Sequence, residues 1–245
     1  MSSALSLAKK LYLLQLSTTT VPLGEGRSME MVLGCYLVKT SDGRHILIDT
    51  GIAAENHPLG APRPTENSNV IELLAALHLE PADIDTVICT HFDVDHAGYH
   101  DSFPSAEFVV QRAHYEMARA GHPRSDRARA HWDHPALSYR RIDGDTELVA
   151  GVDLIETSGH TTGHQSVLVR LENTGPVLLA IDAVMMQRLF TPERKASPHD
   201  ENEEQLRAST RKLLEIVERE RVALVVFGHD GHQWQSLKRA PDFYD

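Results

Sequence analysis

The segment THFDVDHAG, residues 90–98, places two histidines and two aspartates within six positions. Imidazole and carboxylate groups are the ligands that divalent transition metals prefer in proteins. Three further stretches end in a group of the same kind: SGH at His160, VLLAID at Asp182 and VVFGH at His229. The sequence therefore predicts a metal site assembled from four separate places along the chain.

The candidate ligands are too many for one tetrahedral ion. They are His91, Asp93, Asp95, His96, His160, Asp182 and His229. A centre of two metals, bridged by one carboxylate, accounts better for the whole set. No cysteine belongs to it, which argues against a Cys-rich structural zinc site.

Each of these groups directly follows a short apolar run rich in branched residues, which is typical of a buried strand. Because sites in α/β sheets form where strands end, the four strand ends can converge on one cleft. Strands are predicted at residues 11–16, 34–40, 45–51, 85–90, 106–111, 153–158, 166–171, 176–182 and 222–227. The second and third of these form a hairpin around the turn SDG.

Two amphipathic helices are predicted, one capped by Ser68 and one that carries Leu206, Leu213 and Leu214 on its apolar face. No repeat or Gly/Ser/Pro linker divides the chain. The pattern predicts a single α/β domain over residues 1–245, with two sheets packed face to face and helices outside.

Composition limits the possible partners. The chain has 35 acidic and 24 basic residues, a formal charge of -11, which opposes binding to nucleic acid. Seven arginines and three acids fall in residues 112–141, which we interpret as exposed helix and loop; a nuclease stays open as an alternative. No apolar stretch approaches the ~20 residues that span a bilayer, so no membrane partner is expected. Cys35 and Cys89 are expected as reduced core thiols, and the cytoplasm as the location.

The chain holds 15 histidines, most of which are expected at the surface or in loops. This expectation covers His57, His100, His114, His122, His131, His134 and His199. Three residues near the proposed ligands have a different expected role. His164 and Asp230 are expected to orient imidazoles by hydrogen bonds, and Asp49 is expected to form a structural turn or accept such a bond.

The motifs THFDVDHAG, SGHTTGHQS, LLAIDA and FGHD, in this order, resemble the metallo-β-lactamase superfamily. GHTTGHQSVLVRL and LKRAPDFY narrow the resemblance to its N-acyl homoserine lactonase branch. The similarity runs from about residue 11 to the C-terminus and is weakest at residues 52–69 and 112–141. It implies an αβ/βα four-layer sandwich of two mixed β-sheets flanked by helices, with metals at one edge.

The resemblance also implies roles for the ligands. His91, Asp93 and His160 would hold one ion, Asp95, His96 and His229 the other, and Asp182 would bridge them. A hydroxide shared by the ions would open the ester ring of a lactone, an N-acyl homoserine lactone above all. Asp95 would be the catalytic proton carrier. Hydrolases of this branch are often dimers, so a homodimer is a further possibility.

Two residues depart from the family pattern. Asp93 stands where the family usually has a histidine, which makes the first metal pocket more anionic and harder. Zinc is expected first, with iron, manganese or cobalt as alternatives because of Asp93. Met185 stands where these lactonases usually have a tyrosine, and methionine cannot donate a hydrogen bond to substrate. Met185, Val94 and the loop 52–69 are expected to line an apolar acyl pocket.

Other functions stay open at this point. The same site suits another lactone, a thioester of the glyoxalase II type, or a phosphodiester. A redox di-iron protein would need a flavin domain for which 245 residues leave no room. A mono-iron dioxygenase would leave some of the donors without a task, and a non-catalytic binding protein would need a missing ligand.

Overall fold

The computed structural model describes residues 7–24, 26–56, 64 and 66–245. Its strands are Ala8–Gly24 (β1), Arg27–Thr40 (β2), His45–Ile48 (β3), Glu66–Asn67 (β4), Thr86–Ile88 (β5), Glu107–Gln111 (β6), Ser138–Ile142 (β7), Thr146–Val149 (β8), Val152–Glu156 (β9), Gln165–Leu171 (β10), Gly175–Ile181 (β11) and Leu224–Phe227 (β12). Its α-helices are Val70–Ala76 (α1), Arg112–Arg119 (α2), Pro123–Asp126 (α3), Arg129–Trp132 (α4), Glu203–Glu220 (α5) and Gly231–Trp234 (α6).

The strands form two mixed sheets. The first has seven strands in the order β4-β1-β2-β3-β5-β6-β7, antiparallel from β4 to β3 and parallel from β3 to β7. The second has five strands in the order β12-β11-β10-β9-β8, and only its β11–β12 pair is parallel. Parallel strands side by side bring their carboxyl ends to the same edge, which is where the candidate ligands follow.

Residues that alternate along a strand point to opposite faces of its sheet. In β1, Leu11 and Leu13 face the second sheet, whereas Tyr12 and Leu14 face the helices, and all four side chains are buried. The core between the sheets contains Leu11, Leu13, Val38 and Ile48 of the first sheet and Val167, Val169 and Leu179 of the second. Each such side chain contributes ~1.5–3 kcal/mol by leaving water.

Helices cover both outer faces. Val70 and Leu74 of α1 and Trp132 of α4 pack on the first sheet. Leu213 and Ile216 of α5 pack on the second sheet. The layers therefore run helix, sheet, sheet, helix, which confirms the four-layer sandwich expected from the resemblance.

The predicted strands and the hairpin are present, but β1 and β2 extend well beyond residues 11–16 and 34–40. They pair with each other along almost their whole length, and this pairing supports the polar ends that apolar patterning does not identify. The cap assigned to Ser68 was wrong by one residue. Asn69 accepts from the backbone N–H of Glu72, whose side chain accepts from that of Asn69, a reciprocal capping box.

The expectation that residues 112–141 are exposed was wrong in part. His114 and Trp132 are fully buried, and β7 adds an edge strand to the first sheet. His100, also expected at the surface, is fully buried as well. His134 and His199 are exposed, His122 and His131 are partly exposed, and His57 lies outside the described residues.

Cys35 and Cys89 are free and buried, which confirms the expected core thiols. Within the described residues, no helix combines the length and the apolar content needed to cross a membrane.

Candidate metal centre

The candidate ligands lie at one edge of the sandwich, where strands of both sheets end. Residues 90–96 follow β5, Asp182 follows β11 and His229 follows β12. Ile181 has a φ of 52°, which is uncommon for a β-branched residue and turns the chain sharply as Asp182 begins a 3₁₀ turn. Gly228 keeps the two loops close, because a Cβ there would lie 2.9 Å from Oδ1 of Asp182.

Three of the side chains form a first site, which is His91, Asp93 and His160. Their nearest ligand atoms lie within 4.8 Å of one another. Oδ2 of Asp93 is 3.5 Å from Nε2 of His91 and 3.4 Å from Nε2 of His160. This grouping brings together residues from two different sheets.

Three others form a second site, which is Asp95, His96 and His229. Oδ2 of Asp95 is 3.7 Å from Nε2 of His96 and 3.8 Å from Nε2 of His229. The side chain of Asp95 is 25% exposed, more than that of any other candidate ligand. Asp95 therefore stands between the centre and solvent.

Asp182 lies between the two sites, and its carboxylate contacts ligands of both. Its Oδ2 is 3.2 Å from Nε2 of His160 in the first site and 3.3 Å from Nε2 of His229 in the second. Its Oδ1 is 3.0 Å from Nε2 of His229 and 3.7 Å from Nε2 of His96 in the second. One carboxylate is thus placed to bridge two ions.

The four imidazoles present the same nitrogen to the centre. In each imidazole, Nδ1 is hydrogen-bonded to a group that is not one of the candidate ligands. This bond orients the ring and leaves Nε2 as the ligand atom. The partners are Oγ1 of Thr90 for His91 (3.0 Å), Oδ2 of Asp49 for His96 (2.8 Å), Oδ1 of Asp200 for His160 (2.9 Å) and the carbonyl oxygen of Val32 for His229 (2.9 Å).

The carboxylates make the centre attractive to cations. Burial opposes protonation of the imidazoles, but nearby carboxylates outweigh it for three of them. They raise the pKa of His160 to about 9 and also raise the pKa of His96 and of His229. At His91, burial and the neighbouring His96 lower the pKa to about 3. Despite its burial, the imidazoles around Asp182 hold the pKa of its carboxyl well below the usual range.

The residues fit divalent metal ions. Nε2 of His91, Nε2 of His96 and Oδ1 of Asp182 are buried, and none makes a hydrogen bond within the described chain. The 3.0 Å contact of Oδ1 with Nε2 of His229 lacks hydrogen-bond geometry. A buried polar atom without a partner costs ~1–3 kcal/mol, and these three atoms face one another across the centre. Ligation by a metal ion would satisfy all three.

The other predicted residues lie near the centre in differing roles. Asp49 is buried and accepts from Nδ1–H of His96. Nε2 of His164 accepts from the backbone N–H of Asp182, and its Nδ1 bonds Thr157, so neither bond orients an imidazole. Asp230 caps α6 and accepts from the N–H of Gln187, so its predicted bond to an imidazole was wrong.

The predicted pocket residues, Val94 and Met185, are both partly exposed. A cavity of about 770 Å³ opens beside the loop that carries His229, and neither Val94 nor Met185 lines it. Its lining includes Met29, Met186 and Arg188. Residues 57–63 and 65 of the predicted acyl-pocket loop lie outside the described residues.

Sequence reasoning missed three residues that contact the ligands or the segment that carries them. Asp200, from a polar loop, binds His160, and its side chain is fully buried. His114 accepts from the backbone N–H of Phe92 at 2.8 Å and so holds the segment that carries the ligands. Arg124 bonds both oxygens of Asp93. For Arg124, the sequence signal was Asp93 itself, because an acid in place of the family's usual histidine adds a negative charge that a nearby cation can neutralise.

The fold and this centre define a class of protein. The chain belongs to the metallo-β-lactamase superfamily, whose model matches residues 35–229. The match begins within β2 and ends at His229, so it includes every candidate ligand.

The chain is also similar to proteins of one branch of this superfamily, the N-acyl homoserine lactonases. An N-acyl homoserine lactonase of a Bacillus species is 35% identical, over 96% of this chain and 98% of the relative. The N-acyl homoserine lactonase AttM of Rhizobium radiobacter is 33% identical, over 96% and 98%. A crystal structure of a quorum-quenching N-acyl homoserine lactone lactonase superposes with a TM-score of 0.85, at 31% identity over 98% of this chain and all of the other, 100%.

A further solved structure is that of an N-acyl homoserine lactone hydrolase with the product N-hexanoyl-L-homoserine at its catalytic metal centre. It superposes with a TM-score of 0.84, at 29% identity over 97% of this chain and 100% of the other.

Proposed function

We propose that this protein is a dinuclear-metal hydrolase that opens the ester ring of N-acyl homoserine lactones. The observation that carries the proposal is the position of Asp182, whose buried carboxylate contacts ligands of both sites. Lactonases that match almost the whole chain give the substrate class. The product bound at the metal centre of a similar hydrolase agrees with chemistry at this edge of the fold.

In the proposed centre, His91, Asp93 and His160 would hold one ion, Asp95, His96 and His229 would hold the other, and Asp182 would serve as a ligand to both. Two divalent ions, when bound, acidify a water molecule and stabilise negative charge on the carbonyl oxygen of the lactone. Zinc is the metal we expect first, and Asp93 favours iron or manganese over zinc more than a histidine would. We expect the reaction in the cytoplasm.

The chain's own residues would position and move the proton. Water adds to the carbonyl carbon, the bond from that carbon to the ring oxygen breaks, and the ring oxygen leaves as an alkoxide. We expect Asp95 to take the proton from the water and return it to this alkoxide, a role supported by its contact with His96 and by its partial exposure to solvent. The product is an acyl homoserine whose carboxyl ionises and releases one proton per turnover.

The acyl chain needs an apolar surface near the centre. Met29 and Met186 line the cavity beside His229 and provide part of such a surface. Val94 and Met185 remain predicted pocket residues for the part of the acyl chain nearest the metals. Since Met185 cannot donate a hydrogen bond, we expect substrate to be held mainly through the metals and apolar contact.

The test is proton release by the metal-loaded protein with a panel of substrates. N-acyl homoserine lactones of several acyl lengths are compared with γ-butyrolactone, a glutathione thioester and bis-nitrophenyl phosphate. We expect kcat/KM for the acyl homoserine lactones to exceed the others by about 100-fold or more, ~2.7 kcal/mol. Preference for the thioester or the phosphodiester would replace this proposal with the corresponding alternative.

A further inference from the structure

Arg124 of α3 reaches into the first site and is held there by three of its nitrogens. Nε donates to Oδ1 of Asp93 and Nη2 to Oδ2, each at 2.5 Å. Nη1 donates to the carbonyl oxygen of His199 at 2.6 Å. The side chain of Arg124 is only 18% exposed, so its contacts are largely shielded from solvent, unlike those of the exposed arginines in the same segment.

The position of Nη2 overlaps the position that an ion in the first site would need. Nη2 lies 2.5 Å from Nε2 of His160 as well as 2.5 Å from Oδ2 of Asp93. These two ligand atoms are 3.4 Å apart. Bonds from a transition metal to such atoms are ~2.1 Å, so an ion bonded to both would lie within about 3 Å of Nη2 in any direction.

A guanidinium and a metal ion cannot share that space. The guanidinium carries a full positive charge, offers only N–H donors and has no lone pair with which to ligate. Two cations about 3 Å apart repel strongly in a partly buried site. The first site therefore holds either Arg124 or an ion.

The charges explain why an arginine is tolerated beside a metal site. The family's usual histidine is neutral, whereas Asp93 adds a negative charge that Arg124 cancels. In the part of the chain that the structure describes, the second site makes its ion pairs only with its own histidines and carboxylates and with Asp49. Among the described residues, an arginine or lysine forms an ion pair with a ligand of the first site and with none of the second.

We propose that Arg124 competes with the divalent ion for the first site, so that the two sites fill with unequal affinity. The second site fills first, and the first site fills only when Arg124 releases Asp93. This inference rests on the proposed metal centre and adds an order of loading to it.

The test is calorimetric titration of the metal-free full-length protein with cobalt(II), followed also by visible absorption. The wild type should bind one ion tightly and one weakly. Arg124→Gln removes the positive charge and should tighten the weak site at least about tenfold, because a charge-assisted pair to Asp93 no longer has to break. The tight site should change by less than about threefold. Arg127→Gln is the matched control: Arg127 is exposed on the same segment and donates to the carbonyl of Asn56, so neither affinity should change.

Asp93→His is a second route to the same result, because it removes the partner of Arg124 and leaves Arg124 in place. It should also tighten the weak site, and it carries the test if Arg124→Gln does not fold. Two equal affinities in the wild type, or a weak site that both variants leave unchanged or weaken, overturn the inference. A wild type that binds no cobalt overturns both the metal centre and this inference. A wild type that binds two ions but shows equal affinities, or a weak site that neither variant tightens, overturns this inference alone.

Discussion

Asp49 controls the tautomers of two ligands, one in each site. Its Oδ1 accepts from the backbone N–H of Thr90 at 2.8 Å, and its Oδ2 accepts from the Thr90 hydroxyl at 2.7 Å and from Nδ1 of His96 at 2.8 Å. Because the hydroxyl donates to Asp49, its oxygen accepts from Nδ1 of His91 at 3.0 Å. One buried carboxylate thus orients both imidazoles so that Nε2 of each is the atom available to a metal ion.

Asp49→Asn preserves the shape of the side chain and breaks this arrangement. If the amide oxygen faces the N–H of Thr90, the NH₂ group meets Nδ1–H of His96, and two donors oppose each other. Relief requires the proton of His96 to move to Nε2, which then cannot ligate. The opposite orientation sets the NH₂ group against the N–H of Thr90. We expect metal affinity to fall ~10–100-fold, about 1.4–2.7 kcal/mol.

The assay is competition for cobalt or zinc against a chelator of known affinity, with circular dichroism to verify folding. Asp85→Asn is the matched control. Asp85 is exposed directly before β5, at the end opposite the ligands, and one of its oxygens accepts from the backbone N–H of His45, a bond that the asparagine oxygen can keep. An Asp49→Asn protein that binds both ions within threefold of the wild type would refute the tautomer argument.

Three other changes test separate parts of the structure. Asp200→Asn should weaken the first site alone by ~10–100-fold, because Asp200 orients His160; calorimetry that finds both sites equally affected would contradict this. Asp182→Ala should lose bound metal and lactonase activity together, and a variant that keeps both would remove Asp182 from the centre. Trp132→Ala should lower the free energy of unfolding by ~3–5 kcal/mol in a denaturant titration, because Trp132 is fully buried and stacks on Phe92 at 4.7 Å; a loss below about 1 kcal/mol would show that the site collapses around the cavity.

The strand ends of this site could be predicted from sequence because each ligand directly follows an apolar run. The order of the strands in the sheets could not be read from those runs, but the resemblance supplied the fold. The long polar parts of β1 and β2 escaped detection because their stability comes from pairing with each other rather than from alternating apolar residues.

Residues that act on the ligands from other segments were harder to find. Arg124 is one of seven arginines in residues 112–141, and nothing local distinguishes it from those that remain exposed. Asp200 lies in a polar loop, 40 residues after the histidine that it orients. His114 was expected at the surface because its neighbours are charged, but the fold turns it inward to bind Phe92. Long-range contacts of this kind leave no periodic pattern.

Lactone opening as a function of metal loading tests the proposed dinuclear hydrolase most directly. Metal-free protein is supplied with measured equivalents of zinc or manganese, and proton release from an N-acyl homoserine lactone is followed in weak buffer. We predict negligible hydrolysis without metal and a rate that reaches its maximum only as the second equivalent binds. Protein that holds two ions and releases no protons from any N-acyl homoserine lactone, or that hydrolyses the lactone equally well without metal, would contradict the account.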